Sequence, residues 1–159
     1  MLYENYEQVV ANVKKACERS GRNFQDITIV AVSKTKPLSD VEELLSHGVM
    51  EFGENKVQEM VDKYEHVSKP VHWHLIGHLQ TNKVKYIVDK ACLIHSVDSV
   101  HLAKEIEKEA AKKGVVAKVL LEVNIAQEET KFGIREDEVY ALIDAIKDMP
   151  HVHVMGLMT

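Results

Sequence analysis

Blocks of apolar and polar residues alternate along this chain, and the period changes from block to block. Up to Ser20, the positions Tyr6, Val9, Val10, Val13 and Ala16 or Cys17 recur at helical spacing, and Gly21 supplies a stop. Residues 27–33 form a continuous apolar run rich in branched side chains, which predicts a buried strand ended by Pro37. Ser39-Asp40-Val41-Glu42 reads as a capping box opening a short helix that Gly48 closes. The alternation then repeats. A strand near 49–53 precedes a helix from Lys56 to His66, and a strand near 72–77 precedes a helix from Asn82 to Lys90. A strand-like stretch at 92–96 leads into a charged helix from Ser99 to Lys113. The segment AKVLLEVNI, 117–125, is the clearest strand. An amphipathic helix follows from Glu136 to Met149, is stopped by Pro150, and gives way to a last strand at 152–157.

Six strand-then-helix steps without a hairpin signal predict a parallel α/β architecture. There is no linker or low-complexity stretch, so one domain over residues 1–159 is expected. The pattern is compatible with an open doubly wound sheet and with part of an eight-stranded barrel. A whole barrel typically takes about 250 residues, and at least about 200, so a barrel here would be incomplete. The last strand, HVHVMGLMT, has no helix after it to cover it.

Composition narrows the function classes. Hydrophobic content of 45% and charged content of 28% describe an ordinary globular chain. The net charge of −5, with no basic run, argues against nucleic-acid binding. The N-terminus has no apolar stretch of signal-peptide type, and no segment approaches the roughly 20 apolar residues that span a bilayer. Cys17 and Cys92 are far apart, without CxxC spacing, which fits a reducing compartment; a cytoplasmic protein is expected.

In parallel α/β folds ligands bind at the carboxyl ends of the strands, so polar residues there carry the chemistry. Lys34 is in phase with Thr28, Val30 and Val32; Lys36 shares that phase but, beside Pro37, joins the loop. Glu54 and Asn55 follow the second strand, His74 and His78 belong to the third, and Asn124 ends the fifth. A lysine closing an apolar run is either a solvated ammonium or a desolvated amine. As a free amine it can condense with a carbonyl compound, of which pyridoxal phosphate is the commonest. His72 and His74 share one face, and His151 and His153 repeat the spacing. A zinc site would need further ligands, and neither Cys92 nor a carboxylate stands at a suggestive spacing, so no metal site is expected. There is no GxGxxG and no GxxxxGK[ST]. Trp73 reads as a packing residue, and Lys104, Glu105, Glu107, Lys108 and Glu109 read as a solvated helix face.

Five segments taken together, AVSKTKP, FGENKVQE, WHLIGHLQTNK, VNIAQEETKFGI and GLM, stand in the order found in the pyridoxal phosphate homeostasis protein family. The chain resembles this group (YggS/PROSC-like, alanine racemase N-terminal-domain-like) over essentially its whole length. The resemblance implies a (β/α)8 TIM-type barrel as in fold-type III pyridoxal phosphate proteins, here with about six βα units. It implies that pyridoxal 5'-phosphate is held as a Schiff base on Lys34, with Lys36 a second lysine of the motif. Asn55 would lie at the mouth of the cofactor site, His74 and Asn124 would face the same pocket, and Lys131 falls in a loop that could reach it. The implied role is intracellular vitamin B6 homeostasis without an established catalytic reaction, and pyridoxal phosphate-dependent apoenzymes are implied recipients. A racemase-like enzyme acting on amino acids is the alternative. The family's serine-rich turn, glycine-rich phosphate loop and arginine near the pyridine nitrogen are not matched in this sequence. Weak cofactor binding, and self-association through the incomplete barrel, are therefore expected.

Overall fold

The computed structural model describes residues 1–159 as six strands and six α-helices in alternation, with short 3-10 turns between some of them. Helix α1 (Leu2–Ser20) ends where Gly21 takes a left-handed φ of 68° and its N–H reaches the Cys17 carbonyl. Strand β1 (Ala31–Val32) is much shorter than the apolar run 27–33 that predicted it. A strand exists only where a neighbour accepts its backbone groups. Here β2 (Glu51–Glu54) pairs Ala31 with Phe52 and Val32 with Gly53, and Ser33 N–H adds a last bond to the Gly53 carbonyl at 3.0 Å.

Helix α2 (Leu38–Ser46) begins one residue before Ser39, with Pro37 as the residue preceding the first turn and no side-chain cap. Ser39 thus lies inside the first turn, and the expected capping box does not form. The remaining elements are α3 (Val57–His66), β3 (His72–Leu75), α4 (Val84–Ile87), β4 (Ala91–Val97), α5 (Val100–Lys113), β5 (Ala117–Glu122), α6 (Val139–Ile146) and β6 (Val152–Met158). The helix expected over 82–90 is a 3-10 turn at Thr81–Lys83 followed by the single α-turn of α4. The one expected over 136–149 likewise opens as 3-10 at Glu136–Glu138. Strand β5 ends at Glu122: Val123 N–H still donates to the Met158 carbonyl at 2.8 Å, but Val123 also bridges to Ile134, and Asn124 N–H turns to the Ile134 carbonyl at 2.8 Å. The chain then leaves the ladder as a loop.

All six strands are parallel and pair in sequence order, β1-β2-β3-β4-β5-β6. One face carries Phe52, Trp73, Leu75, Ile94, Val119 and Leu121, which join buried residues of α2 to α6 in one core of 23 residues. Trp73 leans on Phe52 with ring centroids 5.9 Å apart, and each such buried side chain contributes on the order of 1.5–3 kcal/mol. Side chains alternate across a strand, so the opposite, inner face carries Glu51, His72, His74, His95, Lys118, Leu120, Glu122 and His153, and a register shift in β6 brings Met158 beside Glu122 on the same face. Val32 there is more than half exposed, as are Met155 and Leu157 on the edge strand β6. Helices on one face and a sequentially ordered parallel sheet are the parts of a barrel wall. The charged helix α5 departs from its expected solvated face at Glu109, which is buried and takes a bond from Lys112 at 3.1 Å. Glu107 accepts the His151 backbone N–H at 2.7 Å, tying α5 to β6.

Candidate functional site

At the carboxyl end of β1 the residues Ser33-Lys34-Thr35-Lys36 form a turn closed by the Lys36 N–H and the Ser33 carbonyl, 3.0 Å apart. Thr35, third in the turn, has a φ of 62°, a left-handed value that β-branched residues rarely adopt and that costs about 1–3 kcal/mol. The turn holds because both neighbours of Lys34 are fastened from below. Glu54 lies in phase with Phe52 and points into the helix-covered face, where a carboxylate needs a partner. Lys63 of α3 supplies it, donating to Glu54 Oε1 at 2.6 Å, to Glu59 Oε1 at 2.9 Å and to the Ser33 carbonyl at 2.7 Å. Ser33 Oγ donates to Glu54 Oε1 at 2.6 Å, and Thr35 N–H donates to Glu59 Oε1 at 2.6 Å. Lys63 and Glu54 are buried, at 4% and 0% exposure, so all three ammonium protons are spent inside the protein.

Lys34 itself is exposed, the solvated of the two alternatives, because the turn projects from a two-residue strand at the edge of the sheet. Lys36 does not share its surroundings. It lines a small cavity of about 160 Å³ with Leu2, Val32 and Asp40.

Asn55 follows β2 and is half-buried. Its position is set by Gly77, where a Cβ would stand 2.4 Å from the Asn55 carbonyl oxygen, so only glycine lets the two strand ends approach. Asn55 opens onto a cavity of about 300 Å³ lined also by Lys56, His78, Gln80 and Lys83. His78 stacks on Phe132 at 3.9 Å between centroids, which pins the loop after β5 across the strand ends. Phe132 and Lys131 in turn line a second cavity of about 310 Å³ with Glu122 and Asn124.

Two of the expected pocket residues are placed differently. Asn124 spends its amide on its own loop, donating to the Glu128 carbonyl at 2.8 Å and accepting the Glu128 N–H at 3.2 Å. His74 is not at a strand end but third in the four-residue β3, buried on the inner face. Its Nε2 lies 2.6 Å from Glu51 Oε2 and its Nδ1 lies 2.9 Å from His95 Nε2. Glu51 also holds His72 Nδ1 at 2.6 Å. Burial acts to raise the Glu51 carboxyl, but the bonds from His74 and His72 outweigh it and leave it below its usual value. Burial and the neighbouring His74 push His95 down to about 4, so it is neutral at pH 7.

Sequence reasoning named Glu54 only as a strand-end residue and missed its partners beneath the turn, Glu59 and Lys63. The signal available for them was an acid in phase with Phe52, together with a Glu-Lys pair four residues apart. It also missed Glu122, whose carboxyl burial and the nearby Asp98 raise above its usual range.

The profile of the family described as "Alanine racemase, N-terminal domain" matches residues 5–159. A pyridoxal phosphate homeostasis protein of Aquifex aeolicus is 43% identical over 157 residues, covering 98% of this chain and 69% of that protein. Among solved structures, an unknown protein from Bifidobacterium adolescentis superposes with a TM-score of 0.92 at 29% identity, covering 99% of this chain and 68% of the other. PipY of Synechococcus elongatus with PLP bound superposes with a TM-score of 0.78 at 31% identity, covering 94% and 69% of the two chains.

Proposed function

The chain belongs to the pyridoxal phosphate homeostasis protein family, built on an alanine racemase N-terminal domain, and from this we propose that it holds pyridoxal 5'-phosphate on Lys34 as a carrier or buffer of that cofactor. The observation that carries the reading is the Ser33–Lys36 turn: an exposed primary amine at the carboxyl end of a barrel wall, with both neighbours anchored to the buried Glu54–Lys63 pair. The residues present fit the group. The Lys34 amine can condense with the aldehyde, forming one C=N bond and releasing one water. The neighbouring cavity beside Asn55 offers the cations of Lys56 and Lys83 and the amide of Gln80 to an anionic ligand. Asn55 sits at its mouth, and Lys36 flanks Lys34 through the turn. In this reading His74 and Asn124 act through the architecture. His74 fixes the inner face below the site, and Asn124 shapes the loop whose Phe132 meets His78.

Delivery to pyridoxal phosphate-dependent apoenzymes in the cytoplasm, without catalysis by this chain, belongs to the same proposal, as does self-association through the unpaired edges of β1 and β6. The test of binding is incubation with pyridoxal phosphate, borohydride reduction and peptide mapping. Label on Lys34, lost in Lys34→Ala and kept in Lys36→Ala, is the expected result; label that survives Lys34→Ala overturns it. Turnover of alanine by the loaded protein would instead favour the racemase-like reading.

A further inference from the structure

On the inner face, toward the amino ends of the strands and so away from Lys34, three chemically different donors converge from three strands. Glu51 is the first residue of β2, His74 comes from β3, and Cys92 is the second residue of β4. A carboxylate oxygen, an imidazole nitrogen and the thiol sulfur all lie within 4.8 Å of one another. We propose that Glu51, His74 and Cys92 form a binding site for a zinc-class divalent transition-metal ion.

The donor set is that of such an ion, with sulfur and nitrogen for softness and one carboxylate for charge. Bond lengths of about 2.0–2.3 Å to zinc place tetrahedral donors about 3.3–3.7 Å apart. The present spread, from 2.6 Å between His74 Nε2 and Glu51 Oε2 to at most 4.8 Å, closes on an ion with small side-chain shifts. Three protein donors leave a fourth position for water or a ligand.

The surroundings are those of a built site. His74 Nδ1 is 2.9 Å from His95 Nε2, with the two rings edge-on at 5.1 Å, so the ring is turned to present Nε2 to the carboxylate. Glu51 is held from its other oxygen by His72 at 2.6 Å. A cavity of about 520 Å³ between the loops before β3 and β4 is lined by His72 and Cys92, so one of the three donors borders open space. On binding, the thiol proton and the proton shared between His74 Nε2 and Glu51 leave for solvent. Three lone pairs then go to the metal, and His74 Nδ1–H donates to His95. No oxidant or reductant is involved. The site is independent of the pyridoxal phosphate reading.

The test is titration of the purified full chain, without pyridoxal phosphate, with Co2+ and then Zn2+. One equivalent of Co2+ is expected to produce a thiolate-to-cobalt charge-transfer band that one equivalent of Zn2+ abolishes. The band should be absent in Cys92→Ser, which keeps the side-chain volume, and retained in Cys17→Ala. His95→Ala should keep the band while weakening zinc roughly 10–100-fold. A readout that needs no variant is alkylation of the folded wild type, where zinc should protect Cys92 while leaving Cys17 unchanged. Absence of the band at one equivalent, its persistence in Cys92→Ser, or failure of zinc to protect Cys92 would each overturn the proposal.

Discussion

Replacing Lys63 by methionine removes one ammonium and little volume, and the structure says what is left behind. Glu54 is fully buried, its Oε2 already has no partner, and after the substitution its Oε1 keeps only the Ser33 hydroxyl. The Ser33 carbonyl loses its Lys63 donor, and Glu59 loses one of its two. Removing one member of a buried pair typically costs about 3–5 kcal/mol, because the other charge stays buried without compensation. Against a total stability of about 5–15 kcal/mol this is a large share. With a urea dependence of about 2 kcal/mol per molar, the unfolding midpoint of Lys63→Met should fall by roughly 2 M. Neutralising the stranded partner in Lys63→Met/Glu54→Gln should recover about half of the loss, since the glutamine can still accept from Ser33. Urea unfolding of the parent, Lys63→Met, Glu54→Gln and the double variant, followed by Trp73 fluorescence and by circular dichroism, measures these differences. A Lys63→Met loss under about 1 kcal/mol, or a double variant whose loss equals the sum of the singles, would refute the view that this pair carries the turn. The same variant should label more slowly at Lys34 with pyridoxal phosphate and borohydride, because Ser33 no longer fixes the turn from below.

Two further outcomes follow from other positions. Gly77→Ala places a methyl 2.4 Å from the Asn55 carbonyl oxygen, so a destabilisation of about 1–3 kcal/mol is expected, with displacement of Asn55; thermal unfolding checks the first and the borohydride assay the second. Acid should also weaken the fold through Glu59. Burial acts to raise its carboxyl, but the bonds from Lys63 and the Thr35 N–H bring it below the ordinary 4.5. That contribution is present above 4.5 and is lost as pH falls through the lowered folded value. Stability measured from pH 6 downward should therefore decline less steeply in Glu59→Gln than in the parent chain.

Much of the wall could be read from periodicity. The alternating helix and strand order, the Ser99 start of α5 and the core position of Trp73 stand as the pattern predicts, and β5 begins where expected but ends at Glu122, three residues short of the predicted 125. Periodicity reports how one segment divides its faces, and it fails where a second segment decides. The run 27–33 became two paired residues because ladder bonds need a neighbour, and β2 meets only its end. The Glu51–His74–Cys92 cluster was invisible because its members are far apart in sequence, and only the register of three parallel strands brings them together. Lys34 and Lys36 stood out as candidates because they close their own apolar run, a local signal, and the family resemblance rather than periodicity chose Lys34 between them. Glu54 read as a loop residue because nothing local to FGEN reveals that Lys63 waits beneath it.

The sheet order has a consequence for how the chain is made. Each strand pairs with the one synthesised just before it: Ala31 with Phe52, Phe52 with Trp73, Leu75 with Ile94, Ile94 with Val119 and Val119 with Val154. No pairing reaches back across more than about 35 residues, which a ribosome adds in roughly 2–7 s at about 5–20 residues per second. Each new strand therefore finds its template already emerged, and the loop-closure penalty that slows parallel sheets is met in small instalments. Translation order and spatial order coincide, so the wall can grow one βα unit at a time from the N-terminal edge. Pauses in elongation would lengthen the exposure of a single strand edge without scrambling the register of those already laid down.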